Sequence, residues 1–261
     1  MYGRGYNSGG MQFGPPMTPP IVKQIMIANA VVFLAQFVLG RGFDLTFAVT
    51  PAAVWQGGYF WQPFTYMWLH GGLMHIAMNM FVVWMFGSPI ALAWGAKRFL
   101  RYYLLCGVGA GVIIATWPYI GYAFGMPGTV GIPTLGASGA VYGLVLAYSL
   151  TWPERTIMLI FPPVAFKAIW LIPAMFVMTV LSSPPGGGNI SHLGHLGGVL
   201  VGWLLLRREG RAGNPFSFAR LKYQWRRYRM KQKLRAVQYE DFESQRRRDN
   251  RRNDDNDRRY H

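Results

Sequence analysis

The chain has 261 residues, 52% hydrophobic and 16% aromatic with only 14% charged, which is a membrane composition. Its net charge of +16 is uneven, with +10 in residues 207–261 and +6 in the first 206, so the basic excess is mostly a tail and no nucleic-acid partner is expected. Cys106 is the single cysteine, which excludes an intramolecular disulfide and a Cys-ligated zinc site.

Residues 1–20 are rich in Gly, Pro and Met, lack an apolar run, and read as a flexible lead-in rather than a cleaved signal. Residues 21–40 are nearly all apolar after Lys23 and form the first crossing. The next stretch, 41–69, crowds Trp55, Tyr59, Phe60, Trp61, Tyr66 and Trp68 among Pro51, Gly57, Gly58 and Pro63, a composition suited to the headgroup layer. Residues 73–93 make the second crossing, closed by Lys97, Arg98 and Arg101, and 99–119 the third. A Gly/Pro loop runs through Pro133. The fourth span begins near Ser138 and stops by Pro153, short enough that its start is expected below the membrane surface. Residues 167–181 are the fifth, 182–189 a Pro/Gly loop, and 190–206 the sixth. The expected architecture is all-α: a flexible segment 1–20, a six-helix membrane domain 21–207, and a basic tail 208–261, partly helical or disordered.

Six crossings put both ends on one side. Lys23, the Lys97/Arg98/Arg101 cluster, Arg155, Lys167 and the tail then share a face, and only Arg41 and Asp44 fall opposite. The positive-inside rule places both termini in the cytoplasm, and with no transit peptide evident the expected location is the inner membrane of a bacterium. The starts of the second, fourth and sixth spans, bearing His75, Ser138 and His195, meet near the opposite surface.

Ionisable groups at membrane depth are expensive, so His70, His75, His192 and His195, all in or beside apolar spans, are functional candidates. His75 and Asn79, four apart, point from one helix face and can offer hydrogen bonds to an oxyanion; a plain interhelical contact is the alternative. Ser138 lies among small residues, Gly136-Ala137-Ser138-Gly139, with Gly143 one turn beyond Gly139; on these residues alone it reads as a helix cap or a contact between helices. His195 shares a stripe with Gly198 and Gly202. Docking that stripe on Gly139 and Gly143 would bring an imidazole to the Ser138 hydroxyl, the arrangement of a nucleophile and its general base. His192 lies off the stripe. No Asp or Glu occurs in residues 45–96, 102–153 or 168–206, so a serine enzyme here works as a Ser-His dyad, its imidazole oriented by packing against Tyr142. No cofactor is expected, and no metal, for there is neither His-Glu-x-x-His nor a carboxylate to activate water.

Trp61 onward, the run from His70 through His75 to Asn79, Gly136-Ala-Ser138-Gly139 with Tyr142, and His195-Leu-Gly-Gly198 with Gly202 together resemble a rhomboid intramembrane serine protease, over about residues 21–207. The resemblance implies a six-helix bundle with Ser138 as nucleophile and His195 as base. It also implies an oxyanion hole from His75, Asn79 and the Ser138 backbone N–H, with Tyr142 packed on the imidazole and Gly198 supporting close helix contact. Two positions depart from the family pattern. Gln62 stands where the usual Trp-Arg pair has arginine, and Ala91 replaces an acidic residue late in the second span, which puts in doubt the anchoring of the aromatic loop and that end of the helix.

The expected partners are single-span or multi-span membrane proteins, cut near the outer face. The surrounding bilayer is a further partner, with anionic lipids drawn to the basic tail. A rhomboid-like protein that binds membrane clients without cutting them is the alternative function, and a channel or transporter the more distant one.

Overall fold

A computed structural model describes residues 14, 15, 17–125, 130–158, 164–181, 190–209 and 230. The expectations for most of the lead-in (residues 1–13 and 16), the 182–189 loop and nearly all of the basic tail lie outside them. The described residues up to Glu209 belong to one compact unit, a polytopic bundle of membrane helices.

Helix α1, Pro20–Leu39, starts with a proline in its first turn and stops at Gly40, whose φ of 71° ends the helix while its N–H still reaches Gln36 O. Four short turns follow in the aromatic stretch: α2 (Arg41–Phe47), α3 (Pro51–Trp55), α4 (Gln62–Thr65) and a 3-10 turn, Tyr66–Trp68. The second span is α5 (Leu73–Val82), a π turn at Val83–Gly87, and α6 (Ser88–Trp94). The widened turn immediately precedes α6, whose second residue, Pro89, has no N–H to continue the α-helical ladder. Gly95, with φ 81°, reverses the chain alone, so α7 (Ala96–Ala123) begins three residues before the expected start and runs 28 residues, about 42 Å at 1.5 Å per residue. Helix α8 (Ser138–Thr151) has only 14 residues, about 21 Å long against a hydrocarbon core of ~30 Å. A short helix cannot reach both surfaces, so Ser138, its first residue, is drawn into the bundle.

After α8 comes an antiparallel ribbon, not expected from the sequence, of β1 (Thr156–Met158) and β2 (Ala165–Lys167) with Ile157 opposite Phe166. It leads through a 3-10 turn, Ala168–Trp170, to α9 (Leu171–Leu181), and α10 (Ile190–Arg208) closes the bundle.

Helix α8 is the centre: every residue from Gly139 to Ser149 is buried, and α7, α10, α9 and the π turn pack on it. Its contact with α10 is backbone on backbone. A Cβ on Gly198 would collide with the Gly139 carbonyl, one on Gly143 would lie 3.1 Å from Gly198 O, and one on Gly202 3.2 Å from Gly143 Cα. Small residues create this contact because only they let two helix axes approach so closely in lipid. Tyr102 Oη donates to Gly143 O at 2.8 Å and Tyr66 Oη to Gly107 O at 2.8 Å, pairing phenols that would otherwise be orphaned in the apolar interior.

At the opposite end the basic residues gather where α6 meets α7 and where α8 and α10 finish. Arg98 lies 4.2 Å over Trp94, Arg155 4.3 Å over Trp152 and Arg207 5.1 Å over Trp203, each cation covering an aromatic ring at a helix end. An Arg98–Glu209 ion pair ties the start of α7 to the end of α10.

The two family departures have physical replacements. Gln62 is fully buried; its Oε1 accepts the Thr50 N–H at 3.0 Å, and its Nε2 donates to Leu45 O (3.3 Å) and Thr46 O (3.2 Å). Trp61 Nε1 adds a bond to Thr46 O at 3.0 Å, so a neutral amide and an indole anchor the loop. Ala91, 4% exposed, belongs to the apolar core, and no charge has to be buried there. Replacing Gln62 with alanine strands one backbone N–H and removes bonds from two carbonyls, and should cost about 2–4 kcal/mol. Denaturant unfolding in detergent micelles reads this directly, and unchanged stability would show that the amide is not the anchor.

Candidate active site

The chain that feeds α8 is fixed before the helix begins. Thr134 pairs with Val49 of the aromatic loop through reciprocal backbone bonds of 2.9 and 2.8 Å, and Gly136 N–H donates to Tyr66 O at 3.0 Å. Gly136 has φ 131°, and a Cβ there would meet His75 Cε1 at 2.8 Å and Nε2 at 2.9 Å. Both the backbone angle and the nearby imidazole require glycine. Ser138 is then the first residue of α8, and no side chain caps that end. Its N–H and those of the following residues lack intrahelical partners, leaving a donor-rich helix start under the positive end of the dipole.

These residues open onto one cavity of about 230 Å³, lined by Ser138, Gly136, His75 and His195 together with Tyr66, Ile114, Thr134, Leu135, Gly139 and Gly194. Three of the four candidates from separate spans, His75, Ser138 and His195, therefore share one space. His75 Nδ1 accepts the Gly71 N–H at 3.3 Å, so the proton of a neutral ring lies on Nε2, the nitrogen beside Gly136. The His195 ring stacks on Tyr142 at 4.2 Å with planes 8° apart. Tyr142 is itself held by its hydroxyl, which donates to Met175 O of α9 at 2.9 Å. His195 Nδ1 is buried with no hydrogen-bond partner among the described residues, so the stack rather than a carboxylate orients the ring.

The fourth candidate is placed differently. Asn79, 6% exposed, donates one amide hydrogen to His75 O at 3.0 Å, within its own helix. His192 sits half-buried one turn before His195. Gly198 lies at the α8–α10 contact, away from the cavity lining. Among the described residues no three His, Cys, Asp or Glu side chains gather as a metal site. Tyr66, Thr134 and Leu135 were not singled out from the sequence. Tyr66 was one aromatic among many, and the other two were unremarkable loop residues; only the bridge to Val49 brings them to the cavity.

A Rhomboid domain family profile matches residues 57–210, more than half of the chain. The chain belongs to the rhomboid family. It is 36% identical over 135 residues to the presenilin-associated rhomboid-like protein, mitochondrial, of Homo sapiens, a match covering 51% of this chain and 34% of that protein. To rhomboid protein 1, mitochondrial, of Saccharomyces cerevisiae it is 31% identical over 144 residues, 52% of this chain and 39% of the relative. RHOMBOID-like protein 12, mitochondrial, of Arabidopsis thaliana is 30% identical over 202 residues, 72% of this chain and 59% of the relative. The chain thus spans about a third of the length of the human rhomboid relative it matches. The expected location in a bacterial inner membrane, with its cytoplasmic termini, is overturned by these relatives, which are mitochondrial proteins in human, yeast and plant. The charge bias distinguishes the two faces of the bundle and does not name the membrane.

One further histidine bears on stability. His70, in the loop before α5, is 2% exposed and meets the His75 ring edge to face at 5.1 Å. Burial, reinforced by His75, pushes its pKa from the ordinary 6.5 down to about 4. An unfolded chain therefore takes up a proton near pH 6.5 that the folded rhomboid refuses until about pH 4, and His70's contribution to stability is lost as pH falls through that window. Unfolding measured in detergent between pH 7.5 and 4.5 should show this decline, and His70→Phe should make it shallower; an unchanged slope would exclude His70 as its source.

Proposed function

We propose that this rhomboid is an intramembrane serine endopeptidase working through a Ser138–His195 dyad. The observation that carries the reading is the shared cavity: a hydroxyl at a helix start, an imidazole clamped by an aromatic stack, and a second imidazole with its donor nitrogen beside Gly136.

In this reading Ser138 Oγ attacks the scissile carbonyl while His195 takes its proton, and the negative charge on the carbonyl oxygen is met by the Ser138 N–H and His75 Nε2–H. Asn79 bonds His75 O and does not line the cavity, so the oxyanion is assigned to these two donors. His195 then protonates the leaving amine, the C–N bond breaks, and an acyl-enzyme remains on Ser138. Water, deprotonated by His195, attacks the ester and releases Ser138 and the second product.

Substrates are membrane proteins with one span or several. A peptide bond inside a transmembrane helix is hydrogen-bonded and dry, so a substrate must unwind before it reaches Ser138. Small or helix-weakening residues near the cut are expected, and a cavity of about 230 Å³ suits a small side chain. By the names of the relatives, the membrane is mitochondrial.

Purified protein in detergent should cleave a single-span membrane substrate, and Ser138→Ala or His195→Ala should each lower the rate by about 10³-fold or more. A fluorophosphonate should label the parent and fail on Ser138→Ala. Undiminished cleavage by Ser138→Ala would remove it as the nucleophile. Neither cleavage nor labelling by the parent would leave a client-binding protein in place of an enzyme.

A further inference from the structure

Helix α1 turns most of its surface outward: Ile27, Val31, Leu34, Phe37 and Val38 are 59–89% exposed. Gln36 is different. It is 8% exposed near the end of an apolar span, where a polar group is unfavourable unless every donor and acceptor is used. All of them are. Oε1 accepts the His70 N–H at 2.8 Å, and the two hydrogens of Nε2 go to His70 O at 3.2 Å and Asp44 Oδ1 at 2.7 Å. The amide pairs with both backbone groups of His70 as a neighbouring strand would. Reversing it would set N–H against N–H and oxygen against two acceptors, so the network fixes its orientation.

The consequence lies one atom further along. His70 C=O and Gly71 N–H belong to the same peptide unit, which is planar and trans. Holding that carbonyl on Gln36 Nε2 aims the N–H of the same unit the other way. That N–H is the one that donates to His75 Nδ1 at 3.3 Å. An acceptor role for Nδ1 is what puts the His75 proton on Nε2, next to Gly136 and the cavity. A continuous relay of hydrogen bonds thus runs from Asp44 through the Gln36 amide and the His70–Gly71 peptide to the His75 ring. Gln36 and Asp44 both precede residue 57, where the family match begins.

We propose that Gln36, oriented by Asp44, is a positioning residue for the oxyanion hole: through the His70–Gly71 peptide it holds His75 in the tautomer and orientation that donate from Nε2. The inference rests on the proteolytic reading for its kinetic consequence but not for its structural one. Gln36→Leu keeps the bulk and removes all three bonds. Gln36→Glu keeps the shape and the bond from His70 N–H, but sets a carboxylate against His70 O and Asp44.

The test joins two measurements on the full chain in detergent. In cleavage of a single-span substrate, both variants should lower kcat by about 10–100-fold with KM nearly unchanged. In ¹⁵N spectra of histidine-labelled protein, with the His75 signals identified through His75→Asn, the parent should show a protonated Nε2 and a bare Nδ1, and both variants a mixture of tautomers. A fall in kcat with the His75 tautomer intact would reduce Gln36 to a structural role and overturn the proposal, as would a changed tautomer with kcat untouched. If Gln36→Leu fails to fold, the isosteric Gln36→Glu decides the matter. Absence of cleavage by the parent would count against the protease reading alone, since the tautomer spectra still show whether the relay acts on His75.

Discussion

The contact between Gly198 of α10 and the Gly139 carbonyl of α8 leaves no room for a side-chain carbon, and the site geometry follows from it. In a bilayer no hydrophobic force draws two helices together, since lipid is as apolar as leucine; close van der Waals packing has to supply the attraction. Glycines at 139, 143, 198 and 202 allow that approach, and Cys106 and Ala110 of α7 fill what space is left. Because Ser138 immediately precedes this seam on α8 and His195 lies one turn before Gly198 on α10, backbone contact brings their side chains to one cavity. A bulky residue at the seam would part the two groups without touching either.

Around that seam the bundle solves a second problem, polar chemistry in an apolar setting, with neutral groups. Gln62 anchors the aromatic loop with a neutral amide, and Gln36 ties α1 to the His70 backbone. Asn29 Nδ2 donates to Ile25 O at 2.7 Å, and Asn79 to His75 O. A buried amide can bond backbone groups directly, whereas a buried charge needs a counter-charge and carries a larger desolvation cost. The same economy governs His195. With no acidic residue in the surrounding spans, the Tyr142 ring orients the imidazole by stacking, and the Tyr142 hydroxyl is fixed in turn by α9.

The aromatic loop has a structural part beyond its place in the headgroup layer. Its bridge from Val49 to Thr134 and the bond from Gly136 to Tyr66 O hold the strand-like segment that delivers Ser138. Phe60 and Phe64, 67% and 46% exposed, turn the other side of the loop outward, which matches an aromatic belt at a bilayer surface. Loop, α8 start and cavity are therefore one mechanical unit, so loss of the loop's anchors is transmitted to the site through main-chain hydrogen bonds.

The sequence by itself determined the spans, because an apolar run must match a hydrocarbon thickness and charges must stay outside it. It also determined which helices can touch, since glycines at turn-length spacing mark a face without bulk, and it exposed Ser138 and the histidines as polar residues in apolar surroundings. Only the tertiary structure decided the rest. The β1–β2 ribbon was invisible because strands of three residues carry no alternation to read, and α7 starts at Ala96 because one glycine at positive φ makes the whole reversal. Gln36, Gln62 and Tyr66 look like ordinary members of their segments until partners 12 to 41 residues away in the chain arrive beside them. Local pattern records how each element meets lipid and water; which backbone carbonyl a buried amide finds is settled only when the helices pack.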